Sequence, residues 1–299
     1  MTSQPVYQSQ VRKFIIATGC SSGLGFEVVK QLITNKQYGK AYTVVIGARD
    51  VDRTSAAYGT VTYENRKHRL HVLSVDLNNL GSVQEFAKKA MEAIPEGSSL
   101  DWLFLNAGMQ AKAGPSSCNS KWCDTQVVNS LSQHYLIHEL RPHLVAVKTR
   151  IVVVSSGAIK QGDPEQADRV LLANSGADEH TVYCQSKFTQ LLNAHWWRRE
   201  LAGSCIVVAV SPGLIPNTGI FRNTEESMRP TMQSTDAKTV EEGAQNLLRA
   251  FTCTDMPDDP DRIFLTSWGA WWERSDIQNT LDKELQNKWS PSKEEIKAE

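Results

Sequence analysis

The sequence predicts a single α/β domain built on a doubly wound parallel sheet. Seven short apolar runs recur along the chain, helical patterns separate them, and a glycine-rich turn follows the first run directly. The runs are residues 14–18, 42–46, 70–75, 102–105, 151–154, 205–210 and 263–266. They are rich in Val, Ile and Leu with little polar alternation, as expected of strands buried on both faces. Between them, stretches 24–35, 80–94, 122–147, 181–201 and 240–250 place apolar residues at helical spacing. Alternating strand and helix implies right-handed crossovers and a parallel sheet. At 299 residues, 40% of them hydrophobic, the chain can fill one large core. No repeat, low-complexity tract or linker divides it. The domain is read as 1–299, with a core over about 12–270 and a C-terminal extension over 271–299.

Charge and cysteine content exclude several classes. Charged residues make up 22% and the formal net charge is -1, so nothing favours nucleic acid or an anionic membrane surface. No apolar run approaches the roughly 20 residues that span a bilayer. Residues 1–13 are polar and lack the apolar core of a secretory signal. Cys20, Cys118, Cys123, Cys184, Cys205 and Cys253 form no CxxC pair, which suits a reducing compartment. A cytoplasmic protein with a small-molecule partner is expected, and homo-oligomerisation is left open.

The turn after the first run reads Gly19-Cys20-Ser21-Ser22-Gly23-Leu24-Gly25. Glycines at a strand–helix junction let the backbone approach a pyrophosphate, and the helix N-terminus supplies N–H donors. The second run ends Gly47-Ala48-Arg49-Asp50. An acid at that strand end would hold a ribose 2′-hydroxyl, whereas a cation would hold a 2′-phosphate. Ala48 stands where the acid is expected and Arg49 follows, so NADPH is the expected cofactor. Asp50, two residues past Ala48, is the competing acid.

Tyr183 and Lys187 lie four apart on one predicted helix and share a face. A phenol titrates near about 10, too high for ready proton exchange at neutral pH. A nearby ammonium favours the phenolate, and a tuned Tyr is a plausible general acid. The fifth run ends in Ser155-Ser156, at the strand end where α/β ligands sit. A Ser there can hydrogen-bond a substrate oxygen.

Taken with Thr18, Asn106-Ala107-Gly108, Asn129 and Pro212-Gly213, these motifs resemble the short-chain dehydrogenase/reductase family over about residues 14–266. The resemblance implies a Rossmann-type fold and hydride transfer to a carbonyl. It implies Tyr183 as proton donor and Ser156 as the group that orients the carbonyl. Lys187 would hold the nicotinamide ribose and lower the Tyr183 pKa, and Asn129 would support a water relay to Lys187. Asp76 and Leu77 would meet the adenine, and Asn106, Ala107 and Gly108 would lie beside the cofactor. Segment 212–218, with Pro212, Gly213, Ile215 and Thr218, would line the nicotinamide.

Two long segments depart from the commonest family pattern. Residues 160–180 are an insertion before Tyr183, similar to those of carbonyl reductases, retinol dehydrogenase-like proteins and light-dependent protochlorophyllide reductase. Residues 221–238 follow the nicotinamide segment. Loops of this length are usually lids or substrate walls, and their aromatic and aliphatic residues suggest a bulky apolar ketone. Residues 211–222 and the tail after Trp271-Trp272 also resemble the protochlorophyllide enzyme, but the ordinary Asn106-Ala107-Gly108 and the lack of a transit peptide weigh against photochemistry. The tail 285–292 resembles fungal reductases, many of them serving natural-product pathways.

Other features are read as structural. His134 and His138 lack the HExxH pattern of a zinc site, and Cys118 and Cys123 lack a second pair. Trp196, Trp197, Trp268, Trp271 and Trp272 are read as core or dimer packing, and Cys20 as part of the turn. Residues 283–299 are read as a solvated helix. Two further functions share the fold: a nucleotide-sensing binder, and non-redox cyclisation or isomerisation of a pathway intermediate.

Overall fold

A computed structural model describes residues 12–298 except Gly97 and Asn217. Residues 1–11 of the polar N-terminal segment, and Asn217 within 212–218, lie outside the described residues. The order is β1 (Arg12–Thr18), α1 (Gly23–Thr34), β2 (Ala41–Ala48), α2 (Val51–Gly59), β3 (Arg69–Ser74), α3 (Leu80–Glu92) and β4 (Leu100–Leu105). There follow α4 (Asp124–Gln126), α5 (Ser132–Val145), β5 (Arg150–Val154), α6 (Ala167–Val170), α7 (Glu179–Glu200) and β6 (Ile206–Val210). The chain continues through α8 (Val240–Thr252), β7 (Phe264–Leu265), α9 (Lys283–Trp289) and α10 (Lys293–Ala298).

The strands form one parallel sheet in the order β3-β2-β1-β4-β5-β6-β7. Successive side chains of a strand point to opposite faces, so the apolar runs build two cores. Ile15, Ala17, Val44 and Ile46 pack with residues of α1, α2 and α8. Phe14, Ile16 and Val45 pack with residues of α3, α5 and α7 on the other side. The strand order reverses between β1 and β4, and that crevice is where ligands of such sheets bind. Local signals agree with the helices around it. Thr239 and Glu242 form a reciprocal capping box at the start of α8. Asp178 accepts from the His180 and Thr181 amides at the start of α7.

The fold departs from the sequence reading in four places. β3 is an edge strand with Arg69, His71 and Ser74 exposed, because its outer side has no neighbour. α2 has no counterpart among the predicted helices. It buries only Thr54 and Tyr58, too thin a stripe to register as amphipathic. The 160–180 insertion is partly ordered on its own. Its Ala167, Val170 and Leu171 join Ala113, Cys123, Phe188 and Trp289 in a satellite core.

The tail is the largest correction. Residues 283–298 are not a solvated helix but two helices docked on the body. Trp289 and Ile296 are buried. Asn193 of α7 donates to the Ser290 hydroxyl at 3.0 Å and also to the Trp289 carbonyl. The Nε2 atoms of His134 and His138 lie 2.9 and 3.2 Å from the Pro291 carbonyl oxygen. Lys293 pairs with Glu139 at 2.8 Å. Apolar contacts hidden among charged residues outweigh the charge pattern here.

Candidate active site

The glycine turn between β1 and α1 presses against the end of β4. Gly19 has φ +68°, and a Cβ on it would lie 2.5 Å from Ala107 Cα. A Cβ on Gly25 would lie 2.3 Å from the Gly19 carbonyl oxygen. Both positions therefore exclude any side chain. Asn106 Nδ2 donates to the Gly19 carbonyl at 2.7 Å, and the Tyr58 hydroxyl donates to the Cys20 carbonyl at 2.7 Å. Thr18 Oγ1 accepts from the Ala107 amide at 3.4 Å. The turn is thus fixed from β4 and from α2. Ser21 and Ser22 are exposed, and the N-terminus of α1 carries no side-chain cap and no acid in its first turn. Its N–H groups and positive dipole end suit an anionic group. A cradle closed to side chains beneath an uncapped helix fits the pyrophosphate of a dinucleotide.

The ends of β2 and β3, on one side of this cradle, differ in charge. Ala48 is buried at the end of β2, and Arg49 is exposed immediately after it. Asp50 is engaged as the N-cap of α2, with Oδ1 accepting from the Arg53 amide at 2.9 Å. Asp76, just past β3, is exposed, and Leu77 beside it is buried.

Helix α7 and the end of β5 bring the reacting groups together. The Ser156 side chain acts on the Tyr183 hydroxyl and lowers its pKa, against the effect of burial. Ser156 Oγ also accepts from the Ala158 amide at 3.2 Å, which orients the serine. Lys187 is buried, and its Nζ donates to the Val154 carbonyl at 2.8 Å and to Gln190 Oε1 at 3.1 Å. Nζ lies 5.8 Å from the centre of the Tyr183 ring. Asn129 sits in a π-helical turn, Val127–Leu131, between α4 and α5. Its side chain accepts from the Met109 amide at 2.8 Å and donates to Ser186 Oγ at 2.9 Å. The four predicted residues thus come together, with Asn129 facing Ser186 of α7 and Gly108 alongside Asn129. A Cβ on Gly108 would stand 3.6 Å from both Asn129 Oδ1 and Lys187 Nζ.

The expected lowering of the Tyr183 pKa by Lys187 is not what this geometry gives. Burial pushes the phenol up to about 12, against a smaller opposing effect of the Ser156 side chain. Burial also pushes Lys187 down to about 7. The ammonium is directed at neutral oxygens, and burial sets the direction of the shift at both groups.

After β6 the chain folds back over the turn. Gly213 has φ +93°. A Cβ on Gly23 would lie 3.7 Å from Thr218 Cγ2, so Thr218 stands opposite the cradle. Pro212 and Ile215 are buried. Ile215 is turned toward the α1–α8 seam, where a Cβ on Gly243 would meet its Cδ1 at 2.7 Å and Leu24 at 2.8 Å. Asn223 Nδ2 donates to the Gln110 carbonyl at 2.9 Å, joining segment 221–238 to the chain beyond β4. The insertion 160–180 is hydrogen-bonded to residues 113–123.

The histidine pair is part of the packing. His134 Nδ1 accepts from Trp197 Nε1 at 2.8 Å, and both rings abut Trp196 and Trp197. Among the described residues no group of three or more His, Cys, Asp or Glu could hold a metal ion, and no helix is long and apolar enough to cross a membrane. Sequence reasoning missed Tyr58, which braces the turn, and Gln190. The spacing of Gln190, three residues past Lys187, was the available signal for the second.

Residues 13–168 match the family described as short chain dehydrogenase. A short-chain dehydrogenase/reductase of Pestalotiopsis microspora is 50% identical over 291 residues, covering 96% of this chain and 98% of that protein. Retinol dehydrogenase 13 of Homo sapiens is 28% identical over 215 residues, covering 71% of this chain and 61% of that protein. The NADPH-bound carbonyl reductase from chicken fatty liver superposes with a TM-score of 0.64 at 18% identity, covering 88% of this chain and 99% of that one. With the cradle, the convergent Ser, Tyr and Lys and these matches together, the chain belongs to the short-chain dehydrogenase family of oxidoreductases.

Proposed function

We propose that this oxidoreductase uses NADPH to reduce a carbonyl of a bulky, mostly apolar small molecule. The observation that carries the reading is the grouping of Ser156, Tyr183 and Lys187 beyond the end of β5, with Ser156 oriented by the Ala158 amide and Lys187 Nζ 5.8 Å from the Tyr183 ring. Two hydroxyls held together there can both donate to one carbonyl oxygen. Tyr183, with its pKa near 12, is protonated at neutral pH. It is in the right form to give its proton to the alkoxide oxygen as that oxygen gains charge. Ser156 then remains as the second donor. A reduced nicotinamide, when bound, supplies the hydride.

Residues Gly19, Ser21, Ser22, Gly23, Leu24 and Gly25 would hold the pyrophosphate. Asp76, Leu77, Asn106, Ala107 and Gly108 would flank the adenosine half. Tyr183, Lys187, Pro212, Gly213, Ile215 and Thr218 would flank the nicotinamide half, with Asn129 behind them. The choice of NADPH over NADH is supported by Arg49, which has no carboxylate partner among the described residues, while Asp50 is occupied as a helix cap. NADPH and NADP in solved relatives of the fold agree with it. Segments 160–180 and 221–238 are proposed as substrate walls, supported by the Asn223–Gln110 contact across the strand ends. The resemblance of residues 285–292 to fungal reductases is the basis for proposing a natural-product intermediate as substrate, and the cytoplasm is the proposed compartment.

The test is NADPH consumption across a panel of ketones, aldehydes and quinones. Turnover of at least one bulky ketone, with little use of NADH, is expected. Cofactor binding without reduction of any member would instead favour the binder or the non-redox reading.

A further inference from the structure

Lys187 is buried and has no carboxylate partner among the described residues. Its Nζ is held by two neutral oxygens, the Val154 carbonyl at 2.8 Å and Gln190 Oε1 at 3.1 Å. The rest of the Gln190 amide is also used. Its Nε2 donates to the Asn129 carbonyl at 2.8 Å, which also accepts from Gln133 Nε2 at 3.1 Å. The direction of this amide is fixed by chemistry. An ammonium only donates and a carbonyl only accepts, so only oxygen toward Lys187 and nitrogen toward Asn129 satisfies both. Gln190 is itself 3% exposed. We propose that Gln190 is a positioning residue, a neutral amide strut between the Asn129 carbonyl and the Lys187 ammonium that sets where that charge sits in the cleft.

The inference rests on the oxidoreductase reading for its consequence in catalysis, but not for its geometry. The sequence resemblance implied a water relay between Asn129 and Lys187. In this chain a side-chain amide makes that contact directly. Around the ammonium stand Tyr183 on its own helix, Val154 at the end of β5, and Gly108 with Asn129 on the facing wall. None of these carries a fixed charge. Burial alone accounts for the displaced titration of Lys187. The neutral acceptors are therefore what keeps a charged lysine tolerable there, and losing one should disfavour the charged form.

The test is titration of the lysine side chains by NMR in cofactor-free protein, wild type against Gln190→Met and Gln190→Glu. A Lys187→Met sample assigns the signal. Met keeps the volume and removes both hydrogen bonds, while Glu keeps the acceptor and adds charge. The Lys187 midpoint should fall in the Met variant and rise in the Glu variant, each by about one pH unit, tenfold in ionisation constant. The pH profile of kcat for ketone reduction should move in the same order. Unmoved midpoints in folded variants, judged by an unchanged unfolding temperature, would make Gln190 a packing residue and overturn the proposal. Should the Met variant not fold, the Glu variant alone decides by whether its midpoint rises. Shifted midpoints without any carbonyl reduction would keep the strut and discard the proposed reaction.

Discussion

The hydroxyl of Tyr58 donates to the carbonyl of Cys20 at 2.7 Å, so a helix outside the nucleotide cleft braces the turn that forms it. Tyr58 is 3% exposed. Tyr58→Phe keeps the ring and removes this donor, at a cost of about 1–2 kcal/mol. The expected outcome is a lower unfolding temperature together with several-fold weaker NADPH binding. Calorimetry and fluorescence titration would measure the two. Weakened stability with untouched cofactor affinity would show that the brace does not reach the turn.

Arg49→Ala should raise the Kd for NADPH and leave that for NADH nearly constant. A hydrogen bond to a charged group is worth about 1.5–3 kcal/mol, roughly ten- to a hundredfold in Kd. Equal affinity of the unmutated protein for the two cofactors would refute the role given to Arg49.

Tyr183→Phe should abolish turnover while NADPH affinity stays within a few fold. The ring remains, and only the hydroxyl next to Ser156 is lost. The loss should fall on kcat. Substantial residual ketone reduction would point to another proton donor.

Trp289→Ala should destabilise the whole domain by about 3–5 kcal/mol, the range for large buried aromatic truncations. Trp289 is 6% exposed and packs near Trp122, with ring centroids 5.2 Å apart. A negligible change in chemical unfolding would return the tail to the status of a solvated appendage.

Stability should decline in acid because of buried neutral histidines. Burial holds His134 down to about 3 and His195 down to about 4. The unfolded chain takes up protons near 6.5, where the native protein does not. Their contribution is therefore intact above about pH 6.5 and is lost as pH falls toward 4 and then 3. The slope is at most about 1.4 kcal/mol per pH unit for each group. Replacing His195 by Leu should flatten the stability profile between pH 6.5 and 4. A profile with the same slope as the parent would place the acid sensitivity elsewhere.

How far the site was readable depended on how local its physics is. Gly19 and Gly25 were legible because close backbone approach leaves one residue type. Tyr183 and Lys187 were legible because helix periodicity puts both on one face. The direction of the Lys187 ammonium was not, because its acceptor Val154 comes from a strand 33 residues earlier. Without that direction, spacing suggests a lysine acting on a phenol, and the opposing effect of burial stays hidden. Gln190 was legible only through its place one turn past Lys187, since a glutamine on a helix gives no hint of its more distant partners. In α2 the inward stripe is two residues, Thr54 and Tyr58, and in the tail Trp289 and Ile296 are diluted by charge. Both were therefore missed as packed elements.

The docking of α9 and α10 has a consequence for how the protein is made. Helix α7 carries Tyr183 and Lys187 on one side and receives the tail on another, through Asn193. During synthesis the sheet and α7 leave the ribosome well before residues 283–298 do. Until then Asn193, His134 and the apolar patch around Phe188 and Leu192 face water or a chaperone. Domains generally fold as units as they emerge, and here the face of α7 that receives α9 stays uncovered until residues 283–298 have emerged. A stalled or prematurely ended nascent chain would thus expose that patch while already holding a nearly complete nucleotide cradle.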